Sequence, residues 1–127
     1  AAKLNEIRKL ENPTARPVRE HIAARTHRGV ELIELKDIYY FTADQKYVKV
    51  RHKEGVVLID DTLKELEQEF EDRLFRVHRN AIINIKYLDF LEALDAGQFQ
   101  LHFKGIDETL AVSRRHLPAL REKIQSM

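Results

Sequence analysis

The stretch "DIYYFTADQKYVKVRHKEGVVLID", residues 37–60, decides the architecture. In its middle, "KYVKVRH" sets Tyr47, Lys49 and Arg51 on one side of an extended chain and Val48 and Val50 on the other. That is the period-two alternation of a strand with one wet face. Aromatic and β-branched residues fill "IYYF" and "VVLI", whereas "ADQK" and "HKEG" break the runs. The segment therefore reads as two strands and the start of a third.

Toward the N-terminus, "HIAARTHRGVELIEL" alternates Ile22, Ala24 and Thr26, turns at Arg28-Gly29 and resumes with Val30 and Leu32, the pattern of a hairpin. Before it, "AAKLNEIRKLEN" spaces Leu4, Ile7 and Leu10 three apart, a weak helical stripe that stops at Asn12-Pro13. The expected organisation is a helical linker over residues 1–17, trailing from an upstream domain, and one folded domain over 18–127. An opening Ala1 in place of Met fits a piece of a longer protein.

Toward the C-terminus, Asp60 or Asp61 is expected to cap the helix "TLKELEQEF", whose Leu63, Leu66 and Phe70 make an apolar face. Two strand regions follow, "LFRVHR" and "AIINIKYLDFLEAL"; in the second, the spacing of Leu88, Leu91 and Leu94 also suits a helix. "GQFQLHFKG" alternates Phe99, Leu101 and Phe103 with polar residues, and "IDE" turns the chain into "TLAVS". "SRRHLPALREKI" predicts a short terminal helix, with Pro118 tolerable in or near its first turn. The fold expected is mainly β: an antiparallel sheet with one internal helix and one short C-terminal helix.

The 127 residues are 43% hydrophobic and 34% charged, enough for one core-forming domain of ordinary composition. No cysteine is present, which excludes disulfides and thiolate metal sites and fits a reducing cytoplasm. The apolar runs are far too short to span a membrane. Six histidines lie mostly beside Arg or Lys, without HxH or HExxH spacing, and flanking cations oppose a metal ion. Ser113 and Ser126, the only serines, lack a nucleophile-elbow context, and no glycine-rich phosphate loop occurs. The expectation is a binding domain with no catalytic residue, metal or cofactor.

Net charge is only +1, yet the charge is sorted. "DDTLKELEQEFED" (60–72) holds seven acids and a single lysine, and "RLFRVHRNAIINIK" (73–86) holds Arg73, Arg76, Arg79 and Lys86 with no acid. Two more acid-free basic segments are "QKYVKVRHK" (45–53) and "SRRH" (113–116). Such clusters hold a polyphosphate backbone by charge-assisted hydrogen bonds and counterion release. Base edges call for Arg opposite guanine and for Asn or Gln opposite adenine, and Gln45, Arg79, Asn80 and Arg115 are side chains of that kind. Each has a plainer alternative: Gln45 completing its turn, Asn80 bonding its own backbone, His78 orienting its neighbours, Arg114 and Arg115 simply solvated. Arginines opening a helix oppose its dipole unless a phosphate sits there.

Taken in order, "DIYYFTADQKYVKV", "LKELE", "FRVHRNAIIN" and "LAVSRRHLPAL" resemble the LytTR-type DNA-binding domain, over residues 29–125, and in particular its alginate-regulator branch. The resemblance implies the DNA-binding effector domain of a bacterial response regulator, in which strand-end loops enter successive major grooves of double-stranded DNA and the duplex bends between them. It implies promoter direct repeats as targets, a second copy on the DNA and an upstream receiver domain, with no membrane partner. By position, the family's reading elements fall on Gln45-Lys46, His78-Arg79-Asn80 and Arg114-Arg115. Arg79, Asn80 and Arg115 would then supply most base contacts with Gln45 assisting, while Lys46, Lys49, Arg76 and Arg114 would hold phosphates. The sequence departs from the common pattern in "DQKY" and "HRN", where Asn before Tyr and Ser after Arg are frequent. The rival readings are a protein-interaction module using the acidic helix and an RNA-binding β domain using Tyr39, Tyr40 and Tyr47.

Overall fold

The alternating stretch becomes three adjacent antiparallel strands: β3 (Ile38–Ala43), β4 (Val48–His52) and β5 (Gly55–Ile59). Val48, Val50 and His52 point inward and Lys49 outward, as the period-two reading required. The computed structural model describes residues 20–127, so the expected linker over 1–17 lies outside the described residues. The predicted hairpin is β1 (His21–Thr26) and β2 (Gly29–Glu34), joined by His27-Arg28. Gly29 sits at φ +113, where a side chain would be strained.

After β5 comes helix α1 (Leu63–Glu69). Its cap is Thr62 rather than the expected Asp60 or Asp61. The Thr62 hydroxyl accepts from the Glu65 N–H, and the Glu65 carboxylate accepts from the Thr62 N–H, a reciprocal capping box. The chain continues through β6 (Leu74–His78), β7 (Ala81–Asn84), β8 (Leu88–Ala93), β9 (Phe99–Phe103), β10 (Thr109–Val112) and helix α2 (Leu117–Gln125). The ambiguous segment is thus two strands hinged by a 3-10 turn at Ile85–Tyr87.

Seven strands form one antiparallel sheet in the order β2-β1-β5-β4-β3-β7-β6, and three form a second in the order β10-β9-β8. Two apolar cores result. In the first, Phe41, Val50 and Ile82 of the large sheet pack with Leu63, Leu66 and Phe70 of the α1 segment. The second lies among Tyr39, Val77 and Ile83, the small sheet's Leu101 and Phe103, and Leu120 of α2. Strands β3, β6 and β7 feed both cores, so burying one stabilises the other.

Backbone irregularities make this double use possible. Register shifts between Ile38 and Tyr40 and between Arg76 and His78 each put an extra residue into a strand. Ile38 and Phe41 thereby share the first core although they are three residues apart. Across the sheets, the Tyr40 hydroxyl and Arg51 Nε (2.8 Å) both donate to Glu108. Burial, reinforced by Glu108, pushes the Tyr40 phenol up to about 12. The hydrogen bond from Tyr40, aided by Arg51 and opposed by burial, holds the Glu108 carboxyl below its ordinary value. Deep inside, Asn84 donates its amide hydrogens to the carbonyls of Leu35 (3.2 Å) and Ile38 (2.9 Å), which fixes β7 to the start of β3.

Candidate nucleic-acid interface

Antiparallel pairing brings the end of β3, the start of β4, the end of β6 and the start of β7 to the same end of the large sheet. The β3–β4 loop, Asp44 to Tyr47, is closed by Asp44: its N–H donates to the Tyr47 carbonyl at 2.8 Å, and its carboxylate accepts the Gln45 N–H at 2.8 Å. Asp44, and not the amide of Gln45, therefore completes this turn, and Gln45 and Lys46 stand exposed at its tip. Lys49 follows one residue into β4, its ammonium 3.8 Å from the Asp44 carboxylate with both side chains half exposed.

Arg79 and Asn80 form the turn between β6 and β7, and both are exposed. The Asn80 carbonyl accepts the Ala43 N–H at 2.8 Å, which joins this turn to the β3–β4 loop. The Asn80 N–H donates to His78 Nδ1 at 3.2 Å. The His78 ring, half buried, thereby touches the Asn80 end of the turn. On the other flank, the register shift in β6 leaves the Val77 carbonyl outside the ladder, and the Ser113 N–H donates to it at 2.9 Å. That bond draws Ser113 through His116 alongside the same turn. The order along the sheet end is Gln45-Lys46, Arg79-Asn80, Arg114-Arg115.

The arginine pair does not open α2 as expected. The helix cap is His116, with Pro118 in the first turn, and Arg114 and Arg115 lie in the turn just before it. Arg114 Nη2 donates to the Ala96 carbonyl at 3.2 Å, and Ala96 itself sits at φ +61 in the β8–β9 turn. Arg115 is exposed. The Ser113 hydroxyl and His116 Nδ1 lie 2.6 Å apart. Burial, then the cations Arg76 and Arg115, hold the His116 imidazole below its ordinary value; His78 acts in the same direction and Glu67 opposes it.

This gives a pH signature. The unfolded chain protonates His116 near 6.5 while the folded one resists, so unfolding takes up a proton and stability declines as pH falls below about 6.5. Thermal unfolding followed between pH 7 and pH 5 should show a decline that is smaller in His116→Asn. An identical decline in the variant would remove His116 as a cause.

Arg76 departs from expectation. Its half-buried guanidinium donates through Nε to the His78 carbonyl (2.8 Å), through Nη1 to Glu67 Oε1 (2.9 Å) and through Nη2 to the Arg79 carbonyl. These bonds commit three of the five N–H donors of the group expected to hold a phosphate. Nothing local singles out Glu67 among the seven acids of residues 60–72; only the packing of α1 against β6 gives it Arg76 as a partner. Asp44, Ser113 and Ala96 likewise hold the three turns through bonds that no local pattern announces.

A shallow groove runs among Asp44 to Val48, Asp60 to Lys64, Arg76 and Arg79. Of its acids, Asp60 is paired with Arg25 at 3.1 Å. The exposed cations Lys46, Lys49, Arg79, Arg114 and Arg115 lie at this end of the sheet, with Asp44, Asp60 and Asp61 in the groove beside them. Among the described residues, no group of three or more His, Asp or Glu is placed to hold a metal ion, and no helix is long and apolar enough to cross a membrane.

Residues 28–125 match the family described as the LytTr DNA-binding domain. The chain is 46% identical over 110 residues to the positive alginate biosynthesis regulatory protein of Pseudomonas aeruginosa, covering 86% of this chain and 44% of that protein. It is 31% identical over 99 residues to the transcriptional regulatory protein BtsR of Escherichia coli, covering 77% of this chain and 40% of that protein. The chain spans less than half the length of these curated relatives. Among solved structures, the fold resembles the LytTr DNA-binding domain of a putative methyl-accepting/DNA response regulator from Bacillus cereus, with a TM-score of 0.76 at 20% identity, covering 84% of this chain and 97% of that one.

Proposed function

We propose, from the premise that the chain belongs to the LytTr DNA-binding domain family, that the sheet end carrying Gln45, Arg79 and Arg115 binds double-stranded DNA in a sequence-specific way. The observation that carries this reading is the pair of main-chain bonds, Ala43 to Asn80 and Ser113 to Val77, which ranges three cationic turns along one end of the sheet. Arg79, Asn80 and Arg115 read base edges in successive major grooves, with Gln45 assisting. Lys46, Lys49 and Arg114 hold phosphates, and His78 braces the central turn. The domain serves as the effector of a response regulator in the cytoplasm, partnered by a receiver upstream and by a second copy on repeated promoter sites. Residues 1–17 are the linker to that receiver.

Of the three tyrosines that an RNA-stacking reading would use, Tyr47 stands exposed in the β3–β4 loop and the other two are committed elsewhere. Tyr39 is buried against Tyr87, and Tyr40 is committed to Glu108 and to the Phe103 ring at 5.2 Å. The test is a titration of labelled duplex promoter fragments over a series of salt concentrations, with single-stranded RNA as competitor. A Lys49→Ala variant, which loses a single phosphate contact, should flatten the slope of log affinity against log salt by about 0.9 on every sequence. An unchanged slope would remove Lys49 from the phosphate set, and affinity indifferent to salt and sequence in the parent protein would defeat the reading as a whole.

A further inference from the structure

A two-residue hairpin loop holds its shape best when its backbone enters the left-handed region, which favours Gly, Asn or Asp. The β6–β7 turn does without this: neither Arg79 nor Asn80 is at positive φ, and Ala96 is the only non-glycine residue that is, among those described. Nearby groups must therefore supply what the loop's own backbone does not. They do so from beneath, through the guanidinium of Arg76, the ring of His78 and the Ala43 N–H.

We infer that Arg76 is a positioning residue for base reading: anchored on helix α1 by Glu67, its guanidinium grips the His78 and Arg79 carbonyls and fixes where the Arg79 and Asn80 side chains stand. The inference rests on the DNA-reading role proposed above and assigns this arginine a part in specificity instead of a phosphate contact.

Three features carry it. Nε, Nη1 and Nη2 each already have an acceptor, so three of the five N–H donors are committed to the protein and the guanidinium is fixed in place. The Glu67 carboxylate at 2.9 Å offsets the arginine's charge, so Arg76 adds little to the positive face that a duplex meets. The three acceptors belong to a strand end, a turn and a helix, and only the planar fork of arginine spans them; a lysine ammonium, a point charge on a flexible stem, does not. Helix α1, which the sequence presents merely as an acidic surface, thereby becomes the abutment for the central reading turn.

The two roles differ in what they do to salt dependence. A phosphate-contacting cation contributes about 0.9 to the slope of log affinity against log salt and acts on all sequences alike. A positioning residue leaves that slope alone and lowers the ratio of specific to non-specific affinity. The experiment measures both quantities for the parent protein, Arg76→Lys, Arg76→Ala and Glu67→Gln, well below their unfolding temperatures, together with amide hydrogen exchange at Ala43 and Asn80.

For Arg76→Lys, which keeps the charge, the specificity ratio should fall by about tenfold, the order of one lost base-edge pair, with the slope unchanged to within about 0.3. Exchange at Asn80 and Ala43 should quicken. Glu67→Gln should move the ratio in the same direction by a smaller factor, and it keeps the inference falsifiable if Arg76→Lys folds poorly. A specificity ratio equal to the parent's in both variants would overturn the inference. So would equal losses on specific and random duplexes after Arg76→Ala with a slope lower by about one, the signature of a phosphate contact. Those results leave the parent's sequence-dependent binding intact and so differ from a parent with no sequence preference, which would remove the functional reading and this inference with it.

Discussion

Arg79→Ala is expected to lower affinity for the preferred duplex by about 1–3 kcal/mol, roughly 5- to 150-fold, with little change on random sequence. The side chain stands exposed at the tip of the central turn, while the main chain of that turn is held by Arg76, His78 and Ala43. Truncation at Cβ thus removes donors that face outward and leaves the scaffold in place. The Arg79 carbonyl still accepts from Arg76, and the turn keeps its course. Surface substitutions of this kind change stability by no more than about 0.5 kcal/mol, so the unfolding temperature should stay close to the parent's. Anisotropy titrations against cognate and scrambled duplexes at one salt concentration separate the two effects. Equal specific affinity in parent and variant would show that Arg79 reads no base.

Phe41→Ala has the opposite profile, a loss of about 3–5 kcal/mol in stability with reading side chains untouched. Phe41 is fully buried at the centre of β3, paired with Val50 on one side and Ile82 on the other, in the core that α1 covers. Removing the ring leaves a cavity between sheet and helix that neighbours held by two ladders cannot fill. Because domains of this size are stable by only about 5–15 kcal/mol, the loss is a large share of the total. In denaturant titrations the midpoint should drop with the slope unchanged, since the surface exposed on unfolding is nearly the same. As β3 and β7 serve both cores, a single transition is expected. A drop below about 1 kcal/mol would mean that the site collapses around the missing ring.

Much of this fold can be seen in the sequence because most strands keep a strict period of two. Val48 and Val50 in β4, and Leu101 and Phe103 in β9, turn inward as their alternation requires. Legibility fails where an extra residue enters a strand. The shift between Leu88 and Phe90 makes Leu88 and Leu91, three apart, face the second core, which imitates the period of a helix. "IYYF" conceals a similar shift, so nothing local indicates that Ile38 and Phe41 share one core while Tyr39 belongs to the other.

The candidate site is legible to a different degree. Charge patterning singles out Gln45, Lys46, Arg79, Asn80, Arg114 and Arg115, all of which lie exposed on the three turns. Arg76 looks the same in the sequence, since a basic residue beside other basic residues carries no mark of its tertiary partner. Its partner Glu67 lies nine residues upstream on another element, and the pairing depends on how α1 settles against β6. The position of Arg114 depends in the same way on a carbonyl in the β8–β9 turn, across the small sheet.

The bonds that range the three turns side by side join peptide groups, and a peptide group is indifferent to the side chain it bears. Under the DNA-reading role proposed above, residues 45, 79, 80 and 115 are therefore exchangeable like type in a printer's frame: a substitution alters the word while the frame keeps its spacing.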